Sequence, residues 1–154
     1  MKNCNGLTKG KAWRGRLSRL LLGTCALACA TGVAKTASAS AYGYDYWGVH
    51  TFRDLPIPAG QLFGVVEGDG LRVRVVGGNF VSVGNLCNWK MDVDFIDSGR
   101  RRYANVSTRT VRSCTHAAQR RFSINQDMKE GLACVRLYTA FDHQVASVCH
   151  NITR

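Results

Sequence analysis

The chain has 154 residues, seven cysteines and a formal net charge of +11, from 21 Lys and Arg against 10 Asp and Glu. That length excludes a large multidomain enzyme and leaves room for one domain with a modest core. Seven of the basic residues precede Ala39, so the rest carries 14 basic against 10 acidic side chains, and a net charge of +4 does not by itself mark a polyanion binder.

The first forty residues read as an export signal. Lys2, Lys9, Lys11, Arg14, Arg16 and Arg19 form a charged front with no acid, Leu20 to Ala34 an apolar body, and Ala37-Ser38-Ala39 or Ala39-Ser40-Ala41 a small-residue cleavage site. The prediction is a signal peptide over 1–39, cleaved after Ala39 or Ala41, and a single secreted β domain over 42–154. An uncleaved anchor would need about 20 apolar residues, and this run is shorter and broken by Gly23, Thr24, Gly32 and Lys35. Leu27-Ala28-Cys29 is a weak lipidation site beside the better-formed cleavage site downstream, and the absence of a twin-arginine pair favours the general secretory route. No stable transmembrane segment is expected after cleavage. The long basic front and alanine-rich body resemble signals of Gram-positive bacteria, notably actinobacteria. Cys4, Cys25 and Cys29 leave with the signal, and the remaining Cys87, Cys114, Cys134 and Cys149 form an even set suited to two disulfides in an oxidising compartment.

The mature part opens with alternating Tyr42, Tyr44 and Tyr46, followed by Trp47, His50 and Phe52. As an ordinary first strand, these aromatics close one end of the core before Leu55-Pro56-Ile57-Pro58-Ala59-Gly60 turns the chain. As a surface, Tyr42, Tyr44, Tyr46 and Trp47 stack on sugar rings or anchor a protein partner. The first of these is the ordinary expectation. Leu62 to Glu67 and Leu71 to Val76 flank Asp69-Gly70, residue types suited to a tight hairpin turn. Closing on Gly68 and Leu71 sets Glu67 opposite Arg72 and Val66 opposite Val73. Gly77-Gly78 reads as a second turn before Asn79 to Val83, and Gly84-Asn85 ends that meander.

From Cys87 to Ile96, Cys87, Trp89, Met91, Val93 and Phe95 alternate with Asn88, Lys90, Asp92 and Asp94, so one face is buried and the other wet. Asp97-Ser98-Gly99 suits a three-residue loop with glycine left-handed, returning along Arg102 to Val111 with Asp94 facing Arg102. Asp127 to Gly131 forms one helical turn at most. Leu132 to Thr139 and Val145 to Asn151 make the last hairpin, joined by Ala140-Phe141-Asp142-His143. Its register places Cys134 across from Cys149, close enough to bridge. Cys87 then pairs with Cys114 by elimination, which needs a bulge or loop excursion because the register proposed for that hairpin puts Arg109 opposite Cys87.

Eight or nine short strands predict an all-β fold, a small disulfide-bonded antiparallel β-sandwich, with a small closed barrel as the alternative. Trp89 on the same face as Cys87 resembles the tryptophan packed near a disulfide in immunoglobulin-like sandwiches, a similarity of architecture alone.

The sequence lacks a Gly-x-Ser-x-Gly elbow, a His-Glu-x-x-His helix, a phosphate-binding glycine loop with lysine and, after the signal, a Cys-x-x-Cys pair. That weighs against an enzyme. Of His50, His116, His143 and His150, the candidates for acid–base work are His116 and His143, with Glu67 and an arginine, in a nuclease-like secreted hydrolase. Asp92, Asp94 and Asp97 supply oxygen ligands for calcium but lack a calcium loop's glycine and distal glutamate, and ion pairing with the neighbouring arginines is the stronger reading. No metal and no cofactor is expected. Arg100, Arg101, Arg102, Arg109, Arg112, Arg120 and Arg121 fall between Asp97 and Asp127 with no acid among them, a composition that binds polyanions or keeps a sheet edge soluble. Asn105 and Asn151 begin glycosylation sequons, which a bacterial source makes moot. The leading expectation is a secreted, non-catalytic binding protein whose partner is a cell-wall polyanion or another secreted protein. A small secreted hydrolase is the alternative, and a protease inhibitor the third.

Overall fold

The computed structural model describes residues 40–154 other than Phe141; the segment read as an export signal, with Cys4, Cys25 and Cys29, lies outside the described residues. Ten strands follow in order: β1 (Ala41–Trp47), β2 (His50–Phe52), β3 (Leu55–Ile57), β4 (Gly60–Asp69), β5 (Arg72–Leu86), β6 (Lys90–Asp97), β7 (Arg102–Ser107), β8 (Thr115–Asp127), β9 (Gly131–Thr139) and β10 (His143–Ile152). They form one four-stranded sheet of order β1-β4-β5-β8, a second of order β10-β9-β6-β7, and the separate hairpin β2-β3. Neither four-stranded sheet closes into a barrel, and no helix occurs among the described residues.

Both sheets contribute to one apolar cluster. Leu62 and Val66 of β4 and Val73, Val76 and Phe80 of β5 meet Met91, Val93 and Phe95 of β6 and Ala133, Val135 and Leu137 of β9. The alternation read from Cys87 to Ile96 holds for Trp89 and, along β6, for Met91, Val93 and Phe95, all buried, but the face expected to be wet is not uniformly so, because Asp94 is buried as well. Phe80 packs edge-on to Trp89, with ring centroids 5.1 Å apart.

Both disulfides of the sequence reading are present, Cys87–Cys114 and Cys134–Cys149, of a kind typical of extracellular proteins. Cys134 and Cys149 are direct cross-strand partners, as the last hairpin's register requires. For the other pair, β7 ends at Ser107 rather than Val111, and the chain swings out before β8. Thr108 accepts a bond from the Met91 N–H at 2.9 Å, Val111 exchanges backbone bonds with Trp89, and Cys114 then reaches Cys87. That excursion supplies the irregularity the pairing needed.

Several turns differ from expectation. The β4–β5 turn is Gly70-Leu71, with Asp69 opposite Arg72 and Glu67 opposite Val75. The core sets this register: Val73 and Val76, three residues apart, both point inward, which strict alternation forbids and the extra residue Arg74 permits. Leu55–Ile57 is a strand rather than part of a turn. It pairs with β2 through Arg53-Asp54, both at positive φ (49° and 64°). In the β6–β7 loop Arg100, not Gly99, takes the left-handed position (φ 62°), so Asp94 lies opposite Asn105 rather than Arg102. Arg102 still reaches the Asp94 carboxylate at 3.5 Å.

Gly77-Gly78 is no turn at all. Strand β5 runs straight through it, with Gly77 opposite Arg121 and Gly78 opposite Arg120. The glycines serve close backbone approach: a Cβ on Gly77 would lie 2.1 Å from the Arg120 carbonyl oxygen, and one on Gly78 2.4 Å from that of Phe63. Gly77→Ala therefore pushes β8 from β5 and is expected to destabilise the protein by about 1–3 kcal/mol. Urea unfolding checks this, with Gly48→Ala as the control because a Cβ there meets nothing within 4 Å.

Candidate binding surface

Strand β1 is built inside out. Tyr42, Tyr44 and Tyr46 point to solvent, 62%, 64% and 64% exposed, while Ala41, Gly43 and Asp45 face the second sheet's β10 side. The expectation that these aromatics close the core fails for the three tyrosines and holds for Trp47, which is buried, and for Phe52, which is half-buried against the core. Trp47 is buried over Gly60 and donates its indole N–H to the Pro58 carbonyl at 2.6 Å.

The inward glycines make this arrangement possible. Gly43 and Gly64 are direct partners on β1 and β4, and Cβ atoms there would come within 3.0 and 2.9 Å of the Val148 side chain on β10. His150 fills the same space. It is 8% exposed, with Nε2 3.3 Å from the Gly64 carbonyl oxygen, to which it donates. Asp45 accepts the backbone N–H of Ser147 at 2.9 Å, just past the β10 bulge.

Cross-strand register arranges the outer face of the first sheet in rungs. The central one is Tyr44, Phe63, Asn79 and Gln119; on one side lie Tyr46, Gln61, Val81 and Ala117, on the other Tyr42, Val65, Gly77 and Arg121. Tyr42 stacks with Phe63 at 6.0 Å, and Tyr44 meets Tyr46 edge-on at 5.3 Å. Gln61, Phe63, Asn79 and Val81 line a shallow groove of about 350 Å³. Val81 is 52% exposed, and Arg121 at the margin is neutralised by Glu67. The face is thus an aromatic column beside side-chain amides with almost no net charge. Sequence reading missed Phe63, Gln61, Asn79 and Gln119. The alternation of Gln61 and Phe63 with Leu62 and Gly64 carries their outward direction, but only the register joins them to the tyrosines.

The second sheet's outer face is the opposite case, because its polar groups satisfy one another. Asp94, 1% exposed, receives Arg136 Nη1 at 2.7 Å, Asn105 Nδ2 at 2.6 Å and Arg102 Nη1 at 3.5 Å. Asp92 accepts from the Ser107 hydroxyl, and Asp97 from the Arg101 N–H. The three acids considered for calcium are therefore set against donors and cations. The Asp142 carboxylate, 2.9 Å from Lys90 Nζ, raises the lysine's pKa, against burial and with help from Asp92.

The arginines are spread out. Arg100, Arg101 and Arg102 cluster at the β6–β7 turn, whereas Arg109 and Arg112 lie beyond the far end of β7. Arg101 pairs with Asp97 at 3.6 Å. Arg120 points inward, its guanidinium 4.9 Å from the centroid of Trp89, whose indole N–H has no hydrogen-bond partner among the described residues. The acid–base candidates also go to separate partners: His143 bonds His50, Glu67 pairs with Arg121, and His116 is exposed at the start of β8. Comparison with protein-family models, with curated proteins and with solved structures gave no match.

Burial holds the His150 pKa below its ordinary 6.5, partly opposed by its bond to Gly64. The unfolded chain consequently binds the proton more readily, so the stability tied to neutral His150 is complete above pH 6.5 and is lost as pH falls through that value toward the lower folded pKa. Unfolding midpoints measured from pH 7.5 to 5 should fall on acidification, and His150→Gln should flatten that slope; an unchanged slope in the variant would place the effect elsewhere.

Proposed function

We propose that this protein is a secreted, disulfide-bonded β-sandwich that binds without catalysis, and that its ligand is a glycan of the cell envelope or surroundings held on the outer face of the β1-β4-β5-β8 sheet. The observation that carries this reading is the row of three tyrosines turned to water while small residues take their places inside. Exposing that much aromatic surface beside a groove is what a binding site needs and a core does not. Aromatic rings stack on the apolar faces of sugars and offer a hydroxyl at the tip. Three amides, with donor and acceptor in one group, suit sugar hydroxyls. Among the described residues, no hydrogen bond engages the side chains of Gln61, Asn79 or Gln119, so they are available to a ligand. The low charge of the face favours a neutral polymer over a polyanion here, and the engagement of Arg101, Arg102, Arg120 and Arg121 by internal partners weakens the polyanion alternative.

Export by the basic, alanine-bodied leader fits two disulfides and a ligand outside the cell. Affinity electrophoresis and pull-down on insoluble cell-wall and plant or fungal polysaccharides test the reading. Retention on at least one neutral glycan, little affected by salt, is expected, with Tyr44→Ala or Phe63→Ala weakening it about tenfold, or 1.4 kcal/mol. Retention that falls steeply with salt, survives both changes and is lost when Arg100, Arg101 and Arg102 become serine would replace the glycan with a polyanion.

A further inference from the structure

No backbone ladder joins the β2-β3 hairpin to either four-stranded sheet, so side chains fasten it to the body. Ile57 is buried in the core, and Phe52 packs against that core and stacks on the His143 ring at 4.1 Å. His50 adds a hydrogen bond to His143 at the start of β10. The ring centroids are 5.3 Å apart and the Nε2 atoms 3.0 Å apart, so the two nitrogens point straight at each other. The roles in this bond follow from the far side of His50. Its Nδ1 lies 3.0 Å from the Gly48 carbonyl oxygen, which only accepts, so Nδ1 carries the proton and Nε2 of the neutral ring is the acceptor. The His143 Nε2–H is then the donor. A proton added to His143 lands on its Nδ1 and leaves the bond intact. A proton added to His50 has only Nε2 to occupy, and with His143 charged as well, two N–H groups of like-charged rings face each other.

We infer that the His50–His143 bond is a proton-operated latch, which holds the β2-β3 hairpin against the start of β10 while His50 is neutral and releases it when both rings are charged. The strand partners of the two histidines, Ile57 and Thr139, line one cavity of about 320 Å³ with Leu55, Pro58, Leu86 and Ala140, so the latch ties together two walls of that cavity and its release opens it. Neighbouring charge does not rescue the doubly charged pair. The Arg53 guanidinium lies 5.3 Å from the centroid of the Phe52 ring, the same ring that stacks on His143, and adds a like charge. Asp142 is engaged by Lys90 at 2.9 Å, Asp54 sits in the hairpin's own turn, and the cavity walls are uncharged. Histidine is the side chain that changes charge between about pH 5 and 8, so the latch is closed at neutral pH and opens on acidification. The base of the hairpin stays in place. The Trp47 indole N–H bonds the Pro58 carbonyl at 2.6 Å and the Val83 N–H bonds that of Ala59 at 2.9 Å, and neither contact titrates in that range.

The test is amide hydrogen exchange on the full chain with disulfides intact, at about pH 7.5 and about pH 5, compared as protection factors so that the intrinsic pH dependence of exchange cancels. A two-stranded hairpin this short holds poorly once detached, so protection over residues 50–57 should fall about tenfold or more on acidification while that of β6 and β9 holds. The His150→Gln background, which removes the buried imidazole between β4 and β10, should show the same fall. His50→Gln should abolish it, because a glutamine carbonyl accepts the His143 Nε2–H whether that ring is neutral or charged. Imidazole nitrogen resonances of the wild-type protein give a second reading and decide the matter if the variant does not fold. They should show His50 protonated at Nδ1 near neutrality, and both rings charged where the hairpin loses protection. Unchanged hairpin protection, an equal loss in folded His50→Gln, a loss shared by β6 and β9, or a neutral His50 bare at Nδ1 would overturn the latch.

Discussion

The outward aromatic face depends on side chains missing from the opposite side of the same strands. Where Gly43 and Gly64 pair, β1 and β4 present bare backbone, and Val148 and His150 of β10 occupy the vacated space. A strand cannot turn large side chains to both faces when a neighbouring sheet lies this close. Giving the inner positions to Ala41, Gly43 and Asp45 lets β10 settle against them and consigns all three tyrosines to the outside. The price is a thin apolar contribution from β1, made up in part by polar links: Asp45 to Ser147 and His150 to Gly64.

The two outer faces show two ways of disposing of polar groups. On the second sheet, buried Asp94 gathers Arg136, Asn105 and Arg102 from neighbouring strands, and the Cys134–Cys149 bond continues the same rung. A carboxylate so enclosed is tolerable because its oxygens are matched by charged and amide donors. On the first sheet, tyrosines and amides face water without such mutual engagement. That asymmetry separates a mutually satisfied face from an unengaged one more sharply than composition does, since both are rich in polar residues.

Signals that act within one strand or one turn were legible in the sequence. The buried set of β6, the opposition of Cys134 and Cys149, and the hairpin near Gly70 all arise from alternation and turn chemistry over a dozen residues or fewer. What failed depended on a third strand. Gly77-Gly78 has the composition of a turn, but its glycines answer to the backbones of Phe63 and Arg120 on either side. The tyrosines gave an alternating pattern without saying which phase faced the core; Gly43 and Asp45 between them held the answer, because a core phase filled by glycine and aspartate is a poor one. Nothing local announces that His50 meets His143, since their contact exists only after the hairpin and the last turn have been placed.

The contact of β1 with β10 also bears on when the fold can complete. The first strand rests on the last through Asp45 and Ser147, and β4 does so through Gly64 and His150, so the core is sealed by residues far apart in the described chain. A polypeptide emerging from its amino end carries β1 and β4 with a gap over their glycines until residues 143–152 are free to dock. Such closure by distant segments is slow compared with local pairing. Sealing of the first sheet's inner face therefore waits on the last strand to be made.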